Sequence, residues 1–178
     1  MRIAISGTHR SGKTSLVEAL AAHLPKHDSV EEPYRALEED GYEFSHPPAL
    51  EDFEEQLEWS LERLHEDETA VVFDRCPVDI LAYIAEHEEA DSFDLEEHMP
   101  RVRAAMQTLD LIVFVPIEPQ DRIAFSRSDD EQGSRGAVDG QLREILVEDA
   151  YDFGVEVLEV AGSLEQRLRM VLQRIQER

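Results

Sequence analysis

The stretch that decides the fold is GTHRSGKT, residues 7–14 of the 178-residue sequence. A short apolar segment, residues 2–6, precedes it, and residues 15–24 follow with apolar side chains at helical spacing. Strand, glycine-containing loop and helix form the context in which a G-x-x-x-x-G-K-T segment binds phosphate. The sequence therefore predicts a P-loop, because the alternative of a glycine-rich turn with a surface lysine accounts for neither flank.

Each part of such a loop has a physical role. Gly7 and Gly12 let the backbone turn tightly and approach phosphate oxygens, while successive N–H groups and the helix N-terminus face the anion. Lys13 is expected to reach the β- and γ-phosphates as a catalytic cation, and the Thr14 hydroxyl to reach Mg²⁺. The expected ATP-binding residues are Gly7, Thr8, His9, Arg10, Ser11, Gly12, Lys13, Thr14 and Ser15.

Strand-like and helical patterns alternate along the whole chain. The segments with strand character are 2–6, 28–31, 70–75, 109–115 and 155–160. The clearest helical patterns are 15–24, 50–67, 95–108, 138–153 and 163–176. Because alternating strands and helices build parallel sheets, we predict an α/β, three-layer P-loop NTPase fold with a five-stranded parallel sheet and helices on both faces.

Charged residues follow two of the predicted strands. The cluster Glu31-Glu32-Pro33-Tyr34-Arg35 lies at a strand end, where doubly wound sheets bind ligands. A carboxylate there can accept a proton from a substrate hydroxyl, so we expect Glu32 to be catalytic and Tyr34 and Arg35 to contact substrate. A charged surface loop with a turn proline is the alternative. Asp74 closes an apolar strand, which is the Walker-B arrangement, so Thr14 and Asp74 are the expected metal ligands.

The composition is strongly acidic, with 41 Asp and Glu against 17 Lys and Arg and a net charge of −24. Such a surface repels nucleic acid and anionic membranes, which favours a small-molecule partner. Lysine is scarce, which suggests adaptation to a salty cytoplasm, although an arginine-preferring genome accounts for it equally well. A single cysteine, no apolar run of about 20 residues and a strand-like N-terminus predict a cytoplasmic location. The sequence permits a homodimer.

These features together resemble the P-loop nucleoside and nucleotide kinases, namely deoxynucleoside kinases and small ATPase-like nicotinamide riboside kinase domains. Residues 30–33, Val-Glu-Glu-Pro, are similar to the strand-end Glu-Pro of deoxynucleoside kinases, whose glutamate is the proposed general base and points to Glu32. Asp74-Arg75-Cys76 looks like their Glu-Arg-Ser motif. That similarity implies that Asp74 lies near Mg²⁺ and that Arg75 lies near the reacting hydroxyl and phosphates.

The resemblance also implies contacts to the phosphoryl acceptor. Gln56, which lies off the apolar stripe of its helix, resembles the glutamine that reads the base, and Glu131 resembles the lid glutamate that contacts the sugar. Asp79 and Tyr83 are similar to residues of the riboside-kinase-like group. The implied activity is transfer of the ATP γ-phosphoryl group, with Mg²⁺, to a hydroxyl or phosphate of a nucleoside, nucleotide or related small molecule.

The segment from Arg122 to Arg135 carries arginines and then a polar, glycine-containing run that has little to bury. We expect residues 128–136 to be mobile and to belong to a lid at about 120–137 of a single kinase-like domain spanning 1–178. Its closure would bring Arg127 or Arg135 to the transferring phosphoryl group as catalytic cations. The alternative is a surface loop whose arginines pair with neighbouring carboxylates.

Other classes of P-loop protein fit less well. A regulatory GTPase needs an Asn/Thr-Lys-x-Asp segment, which the sequence lacks, and an AAA+ motor needs Asp-Glu where this chain has Asp74-Arg75. A polynucleotide kinase needs a basic groove, against a net charge of −24. A non-catalytic or slowly hydrolysing regulatory ATPase that binds nucleotide stays open as the alternative function.

The charge generates a prediction about salt. Repulsion among surface carboxylates is long-ranged at low ionic strength, because the Debye length is about 30 Å at 0.01 M salt and about 3 Å at 1 M. We expect the melting temperature, followed by circular dichroism, to rise between low and molar KCl. A melting temperature that stays flat or falls over this range would remove the hypothesis of salt adaptation.

Overall fold

The computed structural model describes residues 1–118 and 129–178, with side chains given for 1–118 and 133–178. Its strands are β1 (Arg2–Ser6), β2 (Asp28–Val30), β3 (Val71–Asp74), β4 (Leu111–Phe114) and β5 (Val157–Glu159). They form one sheet in the order β2-β3-β1-β4-β5, and every neighbouring pair is parallel. The predicted five-stranded parallel sheet is therefore confirmed.

Seven α-helices lie in the described ranges. They are α1 (Lys13–His23), α2 (Pro33–Glu39), α3 (Leu50–His65), α4 (Pro77–Ala85), α5 (Leu95–Met106), α6 (Asp129–Leu146) and α7 (Leu164–Gln176). Proline starts α2 and α4, where its missing N–H costs nothing, and Asp94 and Ser163 cap α5 and α7 with side-chain oxygens. None of the described helices is long and apolar enough to cross a membrane.

Alternating side chains of the sheet fill two separate cores. In β4, Leu111 and Val113 pack with α1 and α7, whereas Ile112 and Phe114 pack with α3, α4, α5 and α6 on the other face. Because successive residues of a strand point to opposite faces, one continuous apolar strand can serve both cores. Helices thus cover both faces of the sheet, as the three-layer prediction requires.

The strand order brings the chemistry-bearing segments to one edge. The chain passes from central β1 to β2 on one side of it, returns through β3, and then crosses to β4 and β5 on the other side. In such sheets a crevice opens at the carboxyl ends of the strands, where the order reverses. Residues 7–14 after β1, 31–32 after β2 and 74–75 at the end of β3 therefore meet at the same edge.

One element differs from expectation. The helix predicted for 138–153 instead begins at Asp129 and ends at Leu146, so residues 129–136, expected to be non-helical, are helical. Arg135 in this segment is 3% exposed and its Nε donates to the His9 carbonyl, 3.2 Å away. The first turns of this helix are polar and glycine-containing, as loops are, because Arg135 packs on the P-loop and not in an apolar core. The sequence pattern therefore predicted a helix start that was too late. Residues 119–128 of the expected lid lie outside the described residues.

Burial predicts how stability responds to mutation. Leu57 of α3 has no exposed surface, whereas Leu164 at the start of α7 is 44% exposed. Leu57→Ala should lower the free energy of unfolding by about 2–5 kcal/mol, since it removes buried methyl groups and leaves a cavity. Leu164→Ala, the matched control, should change it by less than about 0.5 kcal/mol in urea unfolding. Equal losses in the two variants would contradict this core.

Candidate functional site

Two glycines give the P-loop its shape. Gly12 has a φ of 93°, in the left-handed region, and immediately precedes α1. A Cβ on Gly7 would lie 2.5 Å from the carbonyl oxygen of Val115, so the chain after β4 passes too close for any side chain. The loop is therefore packed against the strand end on one side and opens at the start of α1.

Lys13 is held inside the loop. Its side chain is 5% exposed, and its Nζ donates a hydrogen bond to the Thr8 carbonyl oxygen at 2.8 Å. Burial, followed by repulsion from Arg75, lowers the pKa of Lys13 to about 7. A phosphate next to this amine would supply the missing negative charge and raise the pKa again. The geometry is that of a cation placed to receive an anion.

Thr14 and Asp74, the predicted metal ligands, lie next to each other. The Thr14 hydroxyl donates to Asp74 Oδ2 at 2.7 Å, and burial raises the pKa of the Asp74 carboxyl. Asp74 Oδ1 is buried and has no hydrogen-bond partner among the described residues. Mg²⁺ beside nucleotide phosphates needs one or two carboxylates and a hydroxyl, the remaining ligands being waters and phosphate oxygens. The orphaned oxygen therefore fits Mg²⁺, although the described residues contain no cluster of three metal-ligating side chains.

Arg75 links the second strand end to the P-loop. It has a positive φ of 81°, in the left-handed region that residues other than glycine seldom adopt. Its Nε donates to Glu32 Oε2 at 3.1 Å, its Nη1 donates to the Gly7 carbonyl at 3.2 Å, and its guanidinium lies 5.3 Å from the centre of the Tyr83 ring. Arg75 therefore fixes Glu32 relative to the phosphate-binding loop.

A cavity of about 380 Å³ joins these groups. Its lining residues are His9, Arg10, Gly12, Lys13, Thr14, Ser15, Glu32 and Arg75. A larger cavity of about 610 Å³ lies at the opposite edge of the sheet, where Leu109 and Val155 precede β4 and β5. Cavity volume alone does not identify the functional site. The smaller cavity is the better candidate, because it combines the phosphate-binding loop with a carboxylate and lies at the edge where such sheets bind ligands.

Asp79 lies beneath the P-loop. Its carboxylate has no exposed surface and accepts hydrogen bonds from Gly7 N at 2.9 Å and Cys76 N at 3.0 Å. Arg75 Nη1 lies 3.6 Å from the same carboxylate. The substrate contact that the resemblance implied for Asp79 stays a prediction; its contacts here are with Gly7 N, Cys76 N and Arg75.

His9, Tyr83 and Arg135 form a second layer over the loop. The Tyr83 hydroxyl accepts a hydrogen bond from His9 N at 2.9 Å and lies 3.3 Å from His9 Nδ1. Burial and the nearby charges of Arg135 and then Arg75 lower the pKa of His9 to about 4. The imidazole is therefore neutral at pH 7, which avoids a further positive charge among these cations.

The remaining predicted residues are placed less centrally. Tyr34 stacks on Phe44 with ring centres 4.1 Å apart, and the exposed Arg35 lies 4.0 Å from Glu32. Gln56 is 8% exposed and donates to the Asp52 carbonyl within its own helix. Arg127 and the side chain of Glu131 lie outside the described residues.

Arg167 is a site residue that the sequence reasoning missed. It is 7% exposed, and its Nη1 donates to the Ser11 carbonyl of the P-loop at 2.7 Å. A signal for it existed, because Arg167 precedes the buried Val171 by one helical turn and so lies on the inward face of α7. An arginine on an apolar face needs a buried partner, and the P-loop carbonyl is that partner.

Comparison with known proteins places the chain in a family. A family model described as an AAA domain matches residues 2–167, which is most of the chain. A comparison with curated protein sequences finds no match. Within this family description, the chain still differs from AAA+ motor ATPases at Asp74-Arg75, because a motor has a second acidic residue in place of Arg75.

Solved structures share the fold at low sequence identity. Deoxyadenosine kinase from M. mycoides has a TM-score of 0.69 and 12% identity, with both chains covered completely. Thymidylate kinase from Candida albicans has a TM-score of 0.63 and 16% identity, over 99% of this chain and 91% of that one. NadR protein has a TM-score of 0.64 and 19% identity, over 99% of this chain and 50% of that one. The chain belongs to the AAA domain family and has the fold of the P-loop nucleoside and nucleotide kinases.

Proposed function

We propose that the protein is an ATP-dependent kinase that moves the γ-phosphoryl group to a hydroxyl or phosphate of a nucleoside, nucleotide or related small molecule. The observation that carries the proposal is the shared cavity. Glu32 lines the same 380 Å³ space as Lys13 and Thr14, and Arg75 holds its carboxylate. Phosphoryl transfer needs an oriented acceptor next to a phosphate cradle, which a protein that merely binds nucleotide does not need.

The P-loop binds and orients ATP in this proposal. Backbone N–H groups near the start of α1 hold the phosphates, and Lys13 exchanges its bond to the Thr8 carbonyl for the β- and γ-phosphates. Bound at Thr14 and Asp74, Mg²⁺ would neutralise charge on the phosphate oxygens. The cations Lys13 and Arg75 stabilise negative charge that develops during transfer, in surroundings that largely exclude water.

Glu32 orients the acceptor and takes its proton when the acceptor is a hydroxyl. Proton transfer to the Glu32 carboxylate accompanies formation of the bond between the acceptor oxygen and phosphorus. Arg75 bonds both Glu32 and the Gly7 carbonyl, so the spacing between base and phosphate loop is set by a single side chain. Positioning of this kind supplies much of the rate in reactions between two bound partners.

A lid completes the site in the proposal. Arg135 on α6 already reaches the His9 carbonyl, and residues 119–128, which include Arg127, connect β4 to that helix. Closure of the segment at about 120–137 would bring its arginines to the transferring group. A guanidinium suits this task, since it stays charged and matches several phosphoryl oxygens at once.

The solved structures support the class of acceptor. They include deoxyadenosine kinase from M. mycoides with bound dATP or dCTP, and NadR protein in complex with NR. For this chain we propose an acceptor of the same size and kind. The net charge of −24 supports a small molecule over nucleic acid, whose phosphates it would repel.

A regulatory ATPase is the second candidate, and the AAA domain description favours it. Such a protein would turn ATP over slowly to ADP and phosphate without any acceptor. The two candidates differ in where the phosphoryl group goes. The deciding assay incubates the full chain with ATP and Mg²⁺ and a panel of nucleosides and nucleotides, at low and high KCl, and measures phosphorylated acceptor and free phosphate separately.

Lys13→Ala tests the phosphate site within this assay. Turnover should fall by about 10³-fold, because a charge contact to phosphate in a dry site is lost. Lys26→Ala is the matched control, since Lys26 is the other lysine of the chain and is exposed. Turnover by Lys13→Ala within about tenfold of wild type would refute the P-loop assignment, and free phosphate without phosphorylated acceptor would favour the regulatory ATPase.

Glu32→Gln tests the proposed base. We expect kcat for a hydroxyl acceptor to fall by about 10²–10⁴-fold with little change in the Kd for ATP, since Glu32 acts on the acceptor. Glu31→Gln is the control, because Glu31 is exposed and does not line the cavity. A silent Glu32→Gln together with a damaging Glu31→Gln would move the assignment to the preceding residue.

A further inference from the structure

The C-terminal helix reaches the P-loop through one side chain. Arg167 of α7 donates from Nη1 to the Ser11 carbonyl at 2.7 Å. The contact is tight, since a Cβ on the neighbouring Gly12 would lie 3.1 Å from the same nitrogen. Neither the P-loop motif nor the resemblance to kinases gives this residue a role.

Arg167 is itself held in place by a largely buried ion pair. Its Nη2 lies 3.3 Å from Glu118 Oε2, and the side chains of Arg167 and Glu118 are only 9% and 12% exposed. Glu118 Oε1 accepts a hydrogen bond from Gly162 N at 2.6 Å. Glu118 follows β4, Gly162 follows β5 and the P-loop follows β1. Arg167 and its ion-pair partner therefore link the chain segments that follow these three strands.

We propose that Arg167 is a positioning residue for the phosphates of a bound nucleotide. Ser11 C=O and Gly12 N–H belong to one peptide unit, and in a trans peptide these two groups point in opposite directions. A guanidinium that fixes the carbonyl on one side therefore aims the Gly12 N–H to the other side. Gly12 and Lys13 line the cavity there, where phosphate would be bound.

The charge of Arg167 strengthens this effect. A cation bonded to a peptide oxygen polarises that peptide unit, which makes its N–H a better donor to an anion. Glu118 balances the guanidinium charge, so Arg167 acts by orientation and polarisation rather than by long-range attraction of phosphate. The proposal rests on the nucleotide-binding part of the proposed function and does not require phosphoryl transfer.

Arg167→Gln, measured by titration calorimetry of the full chain with ATP and with ADP in Mg²⁺, tests the proposal. We expect the Kd for both nucleotides to rise by about tenfold or more, because a charged hydrogen bond that orients the loop is lost. The KM for ATP should rise in parallel, while kcat at saturating ATP stays within about threefold of wild type. Arg169→Gln is the matched control, since Arg169 pairs with Glu165 on the exposed face of the same helix.

Two milder variants decide the question if Arg167→Gln does not fold. Arg167→Lys keeps the charge but lacks the fork that bonds both oxygens, and Glu118→Gln keeps an acceptor for Gly162 N but loses the ion pair. Each should raise the Kd by a smaller factor than Arg167→Gln, with no change for Arg169→Gln. Unchanged nucleotide affinity in the folded Arg167 and Glu118 variants overturns the proposal. Wild-type protein that binds neither nucleotide overturns the proposed function instead.

Discussion

The structure depends on how the carbonyl groups of the P-loop are bonded. A phosphate-binding loop must turn N–H groups toward its ligand, which sends carbonyl oxygens into the protein, where unbonded polar groups are costly. Here four cationic side chains from different parts of the chain, including the loop's own lysine, donate hydrogen bonds to those oxygens. The bonds run from Arg75 to Gly7 O, from Lys13 to Thr8 O, from Arg135 to His9 O and from Arg167 to Ser11 O, while Asp79 accepts from Gly7 N.

This arrangement gives an acidic protein a concentrated positive site. The protein has a net charge of −24, yet the loop is surrounded by buried or half-buried cations. Their cost is visible in the pKa values of Lys13 and His9, which burial lowers to about 7 and about 4. An anion bound at this place would offset that cost, so the electrostatics of the site favour a multiply charged ligand such as a nucleotide.

The same bonds connect the phosphate loop to the proposed acceptor side. Arg75 contacts Glu32 and Gly7 directly, and Asp79 supports both the loop and the start of α4. Groups fixed on strand ends and helix starts hold their spacing better than groups on free loops. The catalytic geometry that we propose is therefore a property of the sheet edge.

The sequence by itself determined the features that depend on local pattern. The P-loop, the alternation of strands and helices, Asp74 at a strand end and Glu32 after another could all be predicted, because spacing and polarity within a few residues specify them. Tertiary structure alone decided the supports of the loop. Arg167 and Ser11 are 156 positions apart, and Arg135 and His9 are 126 apart, so no local pattern records either contact. The start of α6 was mispredicted for the same reason. The sequence alone does not show whether an arginine such as Arg135 is buried or exposed, because packing against distant residues decides it.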